Sequence, residues 1–200
     1  MKWLILISII ILAILLRPVY HEPRVLRNFI PPDVCDYIKE TATDKLKPST
    51  ISNNKIIDER IRKSETAWLD SNDPTVKYVM EKCVSLTDRP IVNCEKLQVL
   101  KYKPGGFYKP HQDCFGTDKN KRMYTCIIGL NDDYEGGETV FPNLHKKYKL
   151  GKGDVLIFNT LNDWGKMTSK AIHGGTQVMN GEKWICNLWI RVFPYDTQQT

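Results

Sequence analysis

The sequence contains no Cys-x-x-Cys pair and no Asn-x-Ser/Thr acceptor site, and it has only four histidines. The first absence argues against a structural zinc site and a thioredoxin-like redox motif. The second means that glycosylation gives no indication of the compartment. Glycine and proline are not enriched, at 12 and 11 of 200 residues, and we find no internal repeat. These low contents exclude a collagen-like or low-complexity chain.

A strong excess of one charge sign is also missing from the sequence. Lys and Arg number 29 against 23 Asp and Glu, so the formal net charge is only +6, and the basic residues are scattered along the chain. This balance permits nucleic acid as a partner without implying it, and we expect none. A hydrophobic content of 42% and a charged content of 26% are typical of a globular protein, and 200 residues suffice for one domain.

One long hydrophobic run is present, from Trp3 to Leu16, between Lys2 and Arg17. A membrane span needs about 20 apolar residues, so this shorter run is closer to the apolar region of a signal peptide. No small-x-small cleavage site follows it. We therefore predict that residues 1–20 form a signal anchor or a signal peptide. Either one would send the chain into the secretory pathway, at the membrane or in the lumen of the endoplasmic reticulum. The six cysteines are compatible with disulfides in that compartment, with Cys83 and Cys94 the nearest pair.

Two helices are predicted before a series of strands. Apolar residues at positions 34, 37, 38 and 42 have helical spacing, and Asp73 followed by Pro74 is typical of a helix start. From residue 97 onward, short β-rich runs alternate with turns. The predicted strands are Leu97–Tyr102, Met123–Leu130, Glu138–Phe141, Asp154–Asn159, Thr176–Val178 and Lys183–Phe193. Turns are predicted at 104–106, 131–137, 151–153 and 180–181. This order indicates a mainly β, α+β fold, a barrel or sandwich supported by N-terminal helices.

Two histidines and one aspartate form a candidate metal site. His111 and Asp113 are two residues apart, so in an extended chain their side chains point the same way. His173 precedes Gly174 and Gly175, where a backbone can approach a ligand closely. Two imidazoles and one carboxylate are the facial ligand set of non-haem Fe(II) oxygenases, which leaves coordination positions open. His21 and His145 have no such neighbours in the sequence, and we expect them to be exposed.

The sequence around these residues resembles the catalytic domain of prolyl 4-hydroxylases, which are Fe(II)- and 2-oxoglutarate-dependent dioxygenases. The resemblance runs from about Val25 to Phe193. Its ordered motifs are 97–102, 105–113, 136–142, 151–158, 173–175 and 181–184. It implies a double-stranded β-helix, or jelly roll, in a dioxygenase domain at 24–196.

The resemblance also implies roles for individual residues. It assigns His111, Asp113 and His173 to Fe(II) and Lys183 to the distal carboxylate of 2-oxoglutarate. A buried carboxylate needs such a partner. Further residues match family positions beside that carboxylate, namely Tyr102 and Thr139, and positions near the peptide substrate, namely Tyr108 and Arg122. We expect Trp189 to line the interior of the barrel.

The implied reaction is hydroxylation of a peptidyl proline at C4, coupled to decarboxylation of 2-oxoglutarate to succinate. The enzyme would resemble procollagen-proline 4-dioxygenase and require O2, with L-ascorbate maintaining the iron. Its expected partner is a Pro-rich or collagen-like peptide, and the sequence does not indicate whether a further subunit is needed.

Two alternatives remain open. A peptidyl lysyl hydroxylase shares the metal ligands, but these enzymes typically carry Arg where this chain has Lys183. A catalytically silent jelly-roll binding module would normally have lost a metal ligand.

Overall fold

The structure is a computed structural model, and it describes Trp3, residues 17–51 and residues 56–195. Most of the predicted anchor or signal peptide at 1–20 therefore lies outside the described residues. Within the described residues, no helix is both long enough and apolar enough to cross a membrane. The predicted domain bounds at 24–196 stay a prediction.

Within residues 17–51 and 56–195, two α-helices precede most of the strands: α1 (Pro32–Thr43) and α2 (Pro74–Val84). The first seven strands are β1 (Arg24–Leu26), β2 (Lys47–Pro48), β3 (Arg62–Lys63), β4 (Glu65–Trp68), β5 (Gln98–Tyr102), β6 (Phe107–His111) and β7 (Arg122–Gly129). The remaining seven are β8 (Tyr134–Gly136), β9 (Thr139–Phe141), β10 (Lys146–Tyr148), β11 (Val155–Asn159), β12 (His173–Gly175), β13 (Val178–Gly181) and β14 (Lys183–Arg191).

The strands form two main antiparallel sheets. The larger has the order β1-β11-β7-β14-β5-β4-β2, and the smaller has the order β10-β9-β12-β6-β3. The short pair β13-β8 is separate. Phe141 of the smaller sheet belongs to one buried cluster with Leu100, Ile127 and Phe158 of the larger sheet. The two sheets therefore enclose a common core, and the predicted mainly β jelly roll with N-terminal helices is confirmed.

Alternation along the strands divides the larger sheet into two faces. In β14, Trp184, Cys186, Leu188 and Ile190 join the cluster formed with the two helices. The odd-numbered side chains of β14 lie on the opposite side, here called the inner face, as strand geometry requires. Lys183, Asn187 and Trp189 line the cleft there. The helices thus hold one face of the sheet while the other is free to build a site.

Both predicted helices are present. The Asp73 carboxylate caps α2 by accepting hydrogen bonds from the backbone N–H groups of Thr75 and Val76. In α1, burial is deepest at Cys35, Ile38 and Ala42. Tyr37 differs from its predicted place on the apolar stripe, because it is 41% exposed and its hydroxyl donates to Asp73.

Five of the six predicted strands are present, and the prediction of a strand at Thr176–Val178 is wrong. The chain forms β12 just before that run and β13 from its last residue onward. A Cβ on Gly174 would lie 2.8 Å from the carbonyl oxygen of Tyr108, so the missing side chain lets β12 lie against β6. The predicted turn at 131–137 contains β8, and the predicted turn at 180–181 lies within β13.

All six cysteines are buried free thiols. Cys83 and Cys94, the pair nearest in sequence, both belong to the core cluster between the helices and the larger sheet. The cysteines therefore contribute to this structure as small apolar side chains.

Candidate active site

Adjacent strands of the smaller sheet bring together the three predicted metal ligands. His111 ends β6, His173 begins β12, and the two residues are directly paired across these strands. Asp113 follows β6 by one intervening residue. One ligand atom from each residue lies within 4.8 Å of the others. The Nε2 atoms of His111 and His173 are each 3.6 Å from an oxygen of the Asp113 carboxylate.

Backbone hydrogen bonds orient both imidazole rings. Nδ1 of His111 lies 2.9 Å from the carbonyl oxygen of Lys109, and Nδ1 of His173 lies 3.1 Å from that of Ala171. A carbonyl only accepts, so each Nδ1 carries the proton and each Nε2 presents its lone pair towards Asp113. Such carbonyl partners are what metal-binding histidines typically have.

Burial and charge set the protonation states of this cluster. Burial lowers the pKa of His173 to about 4, so its imidazole is neutral at physiological pH. Burial alone would raise the pKa of Asp113, but the neighbouring His173 and His111 hold it well below its usual range. Thr125 reinforces the anion, since its hydroxyl donates to Asp113 Oδ2 at 2.6 Å. Two neutral nitrogen donors and one carboxylate fit Fe(II).

Aromatic rings surround His173 on its buried side. The rings of Phe158 and Phe141 lie 4.6 and 5.6 Å from the imidazole, centroid to centroid. The other imidazole, that of His111, is stacked on the ring of Tyr108, and their centroids are 3.7 Å apart. These contacts limit access of water to the histidines and restrict the orientation of both rings.

Lys183 begins β14 and lies in the same cleft as the three ligands. It is 4% exposed, and it forms no ion pair with any residue that the structure describes. Burial lowers the pKa of Lys183 to about 8, with a further contribution from the charge of Lys149. A buried ammonium without a carboxylate is costly, so this residue is suited to an anionic ligand.

Two residues that carry hydroxyl groups, Tyr102 and Thr139, line the cleft together with Lys183. Tyr102 is paired with Lys183 across β5 and β14, and the ammonium lies 5.3 Å from the centre of the Tyr102 ring. Thr139 is buried and lines the same cleft. The sequence-predicted groups for metal and anion therefore occupy one cleft.

The two residues predicted near the substrate differ in their surroundings. Tyr108 lines the cleft beside His111. The guanidinium of Arg122 also lines the cleft, but it donates twice to the buried Glu95 carboxylate, at 2.6 and 2.8 Å. A third donation, at 3.0 Å, reaches the carbonyl oxygen of Asp113. Arg122 thus supports the backbone of a ligand residue, and its contact with a peptide stays a prediction.

Sequence reasoning missed several polar residues of the site, among them Thr125, Glu95 and Arg62. Thr125 is a polar position in an otherwise apolar stretch of β7, which was the one available indication. Nothing in the sequence marks Glu95 as buried between Arg122 and Arg191. Arg62 was also missed; it lines the cleft and places its guanidinium 4.7 Å from the centre of the Tyr108 ring. The remaining histidines, His21 and His145, are exposed as expected.

Comparison with known proteins places this site in a family. Residues 97–191 match the family model of the 2OG-Fe(II) oxygenase superfamily. The chain is 32% identical to prolyl 4-hydroxylase 1 of Arabidopsis thaliana, over 84% of this chain and 68% of that protein. A relative from Acanthamoeba polyphaga mimivirus, described as a candidate prolyl 4-hydroxylase, is 37% identical over 86% of this chain and 75% of its own length. The chain belongs to the prolyl 4-hydroxylase family of 2-oxoglutarate- and Fe(II)-dependent oxygenases.

A solved structure agrees with this membership. The viral collagen prolyl hydroxylase of Paramecium bursaria Chlorella virus-1, in its 2-oxoglutarate complex, has a TM-score of 0.70 and 28% identity. The match covers 86% of this chain and 97% of the viral protein. The family prediction is confirmed, together with the class of enzyme, its proline hydroxylase activity, and its use of Fe(II) and 2-oxoglutarate.

Thr125→Val should weaken Fe(II) binding by roughly 10-fold, because loss of a hydrogen bond to a ligating carboxylate typically costs 10- to 100-fold in metal affinity. Thr125→Ser keeps the hydroxyl and is the matched control. Anaerobic Fe(II) titration of the two variants measures the difference. Equal affinities in the Val and Ser variants would contradict a supporting role for this hydroxyl.

Lys183 should make 2-oxoglutarate binding sensitive to pH. Its ammonium is present below pH 8 and lost as the pH rises through that value. The KM for 2-oxoglutarate should therefore rise about 10-fold from about pH 7 to about pH 9. Lys183→Arg, which stays protonated over this range, should flatten the profile. A wild-type KM that does not change with pH would contradict the assignment.

Proposed function

We propose that this chain hydroxylates peptidyl proline at C4, with His111, Asp113 and His173 binding Fe(II) and Lys183 binding the distal carboxylate of 2-oxoglutarate. The observation that carries this proposal is the convergence of the three ligand atoms in a cleft that also holds a buried, uncompensated ammonium. A site for the metal alone would not require that ammonium. A site for an anion alone would not require the ordered imidazoles.

The metal ligands are preorganised by their neighbours. The backbone carbonyls of Lys109 and Ala171 hold both imidazoles in the tautomer that exposes Nε2. Thr125 holds one oxygen of Asp113, and Arg122 holds its backbone. Because these contacts exist before the metal arrives, binding requires little rearrangement of the chain. Bound Fe(II), 2-oxoglutarate and O2 supply the oxidation of a C–H bond, with release of succinate and CO2.

Lys183 orients the cosubstrate from the other end of the cleft. Its ammonium pairs with the carboxylate far from the metal, while the Tyr102 and Thr139 hydroxyls donate to the same group. Burial strengthens each of these contacts, since there is little water to compete for the carboxylate. Lys183, Tyr102 and Thr139 would thereby hold the keto acid in the cleft that also contains the three metal ligands.

The proposed peptide enters at the more open side of the cleft, beside Tyr108. Pro-rich peptides in the polyproline II conformation lose little conformational entropy on binding, and aromatic grooves suit them. The rings of Tyr108, Trp68 and Trp189 line the cleft. L-Ascorbate is expected to restore iron that is oxidised without substrate turnover.

The proposed location is the secretory pathway, at the membrane or in the lumen of the endoplasmic reticulum. It is supported by the apolar run between Lys2 and Arg17. The folded part would then begin shortly after this segment, at β1.

The proposed activity is tested with Fe(II), 2-oxoglutarate, ascorbate and a Pro-rich peptide. Succinate should form faster when the peptide is added, and peptide mass spectrometry should find 4-hydroxyproline. His173→Ala should abolish turnover, because the two remaining ligands no longer hold the metal from three sides. His145→Ala, at an exposed histidine outside the cleft, is the matched control and should retain activity.

The same assay distinguishes the alternatives. Hydroxylation found only at lysine would support the lysyl hydroxylase reading and overturn the proline assignment. Peptide binding without turnover in iron-saturated protein would support a silent binding module.

A further inference from the structure

The chain that follows the predicted anchor is fastened to the loop between β11 and β12. The backbone N–H of Val19 donates to the Asp163 carboxylate at 2.9 Å, and the Val19 carbonyl accepts from the N–H of Asp163 at 3.1 Å. Tyr20, the next residue, is only 9% exposed. Directly after its apolar run, the chain therefore follows a fixed path over this loop.

Two further contacts extend the same surface. Glu22 forms an ion pair with Lys146, and the side-chain amide of Asn143 donates to the carbonyl oxygen of Ser169 at 2.8 Å. Segments 17–22, 142–147 and 162–170 are thus joined by direct contacts. We call the surface that these three segments form the basic face.

Positive charge predominates on the basic face. Its exposed cations are Arg17, Lys146, Lys147, Lys166 and Lys170. Glu22 and Asp163 are the only acidic residues of the three segments, and both already have partners, Lys146 and the Val19 N–H. Clusters of this kind are attracted to anionic lipid headgroups.

The basic face also exposes a tryptophan on an ordered turn. Trp164 is 52% exposed, and Val19, on the segment fastened to its loop, is 53% exposed. The Asn162 side chain shapes the turn, since its Oδ1 accepts from the N–H groups of Trp164 and Lys166. The Lys166 ammonium lies 5.8 Å from the centre of the Trp164 ring. An exposed indole beside basic side chains is typical of the membrane–water interface.

The position of the apolar run identifies the partner of this face. The run ends at Leu16, three residues before Val19, and three residues reach at most about 11 Å. With residues 1–20 anchored as proposed, Val19 and the Trp164 loop lie close to the headgroups of the same bilayer. A lipid surface is therefore the partner that the chain itself brings to the basic face.

We propose that the basic face rests on the membrane, with Trp164 at the interface and the lysines against lipid phosphates. This inference rests on the proposed membrane location. It has a consequence for the cleft, because Gln112, between two metal ligands in the sequence, donates to the carbonyl oxygen of Thr168 at 2.9 Å. Contact of this loop with lipid therefore holds the cleft in one orientation beside the membrane.

Fluorescence quenching in lipid nanodiscs tests the contact on the full chain. All six native cysteines are buried, so an introduced, exposed cysteine can be labelled selectively. Ser169→Cys lies on the basic face, and Lys47→Cys, on the edge strand opposite β1, is the matched control. The nanodisc lipids carry a nitroxide quencher near the headgroup. The label at position 169 should be quenched severalfold more strongly than the label at position 47.

Variants connect the quenching to the residues of the basic face. In the Ser169→Cys background, Trp164→Ser should weaken quenching, and so should Lys166→Glu combined with Lys170→Glu. Val92→Ser, at an apolar residue that is 57% exposed outside the face, is the matched control and should leave quenching unchanged. Thermal unfolding in detergent should be the same for all variants, because every substituted side chain is exposed.

The outcomes separate this inference from the proposed location and activity. If alkaline carbonate releases the chain from membrane vesicles, the proposed anchoring fails, and this inference fails with it. If the chain stays in the membrane and both labels are quenched equally, the contact of the basic face alone is overturned. Shielding of the label at position 169 that grows with protein concentration in detergent would also overturn it, and would assign the face to a second copy. The quenching does not depend on proline hydroxylation.

Discussion

The antiparallel pairing of β6 with β12 is the contact on which the active site depends. It sets His111 directly opposite His173, although the two residues are far apart in the sequence. The approach is close because Gly174 has no side chain, and a Cβ there would collide with the backbone of β6. Asp113 follows at the end of the same strand, so one local pairing brings three ligands together. A substitution that separates these strands would remove the metal site without changing any ligand.

Strand β14 supplies the remainder of the site through its alternation. Its even-numbered side chains are buried against the helices, and this apolar contact fixes the register of the strand. Its odd-numbered side chains then face the cleft in sequence order, from Lys183 to Trp189. A shift of one residue in the register of β14 would bury polar side chains in the core between the larger sheet and the helices. Stability and active-site geometry are therefore maintained by the same packing.

Charges within the cleft are compensated to different degrees. Glu95 is paired with both Arg122 and Arg191, so this buried network is complete in the protein alone. Among the described residues, the Lys183 ammonium has no ion-pair partner and three buried atoms of the same cleft have no hydrogen-bond partner, namely Gln98 Oε1, Asn187 Oδ1 and Trp189 Nε1. The paired groups hold the site in place, and the unpaired groups are available for binding.

Much of the site could be predicted from sequence motifs, whereas the residues that hold the site residues in place could not. The His111, Asp113 and Lys183 positions follow from short ordered motifs, and the Asp73 cap followed from its position before Pro74. The strand region after His173 was predicted with its run placed three residues too late, and the close backbone approach expected at Gly174 and Gly175 is made by β6. Glu95 and Thr125 act through partners distant in sequence, so no local pattern indicates them.

The central claim is that three residues bind iron while Lys183 binds the cosubstrate in the same cleft. Diffraction from crystals grown anaerobically with Fe(II) and 2-oxoglutarate, collected at the iron absorption edge, tests it most directly. We expect one anomalous peak in contact with His111, Asp113 and His173. The distal carboxylate of 2-oxoglutarate should contact the Lys183 ammonium. An iron peak elsewhere, or a carboxylate bound instead to Arg62 with Lys183 unoccupied, would contradict the account.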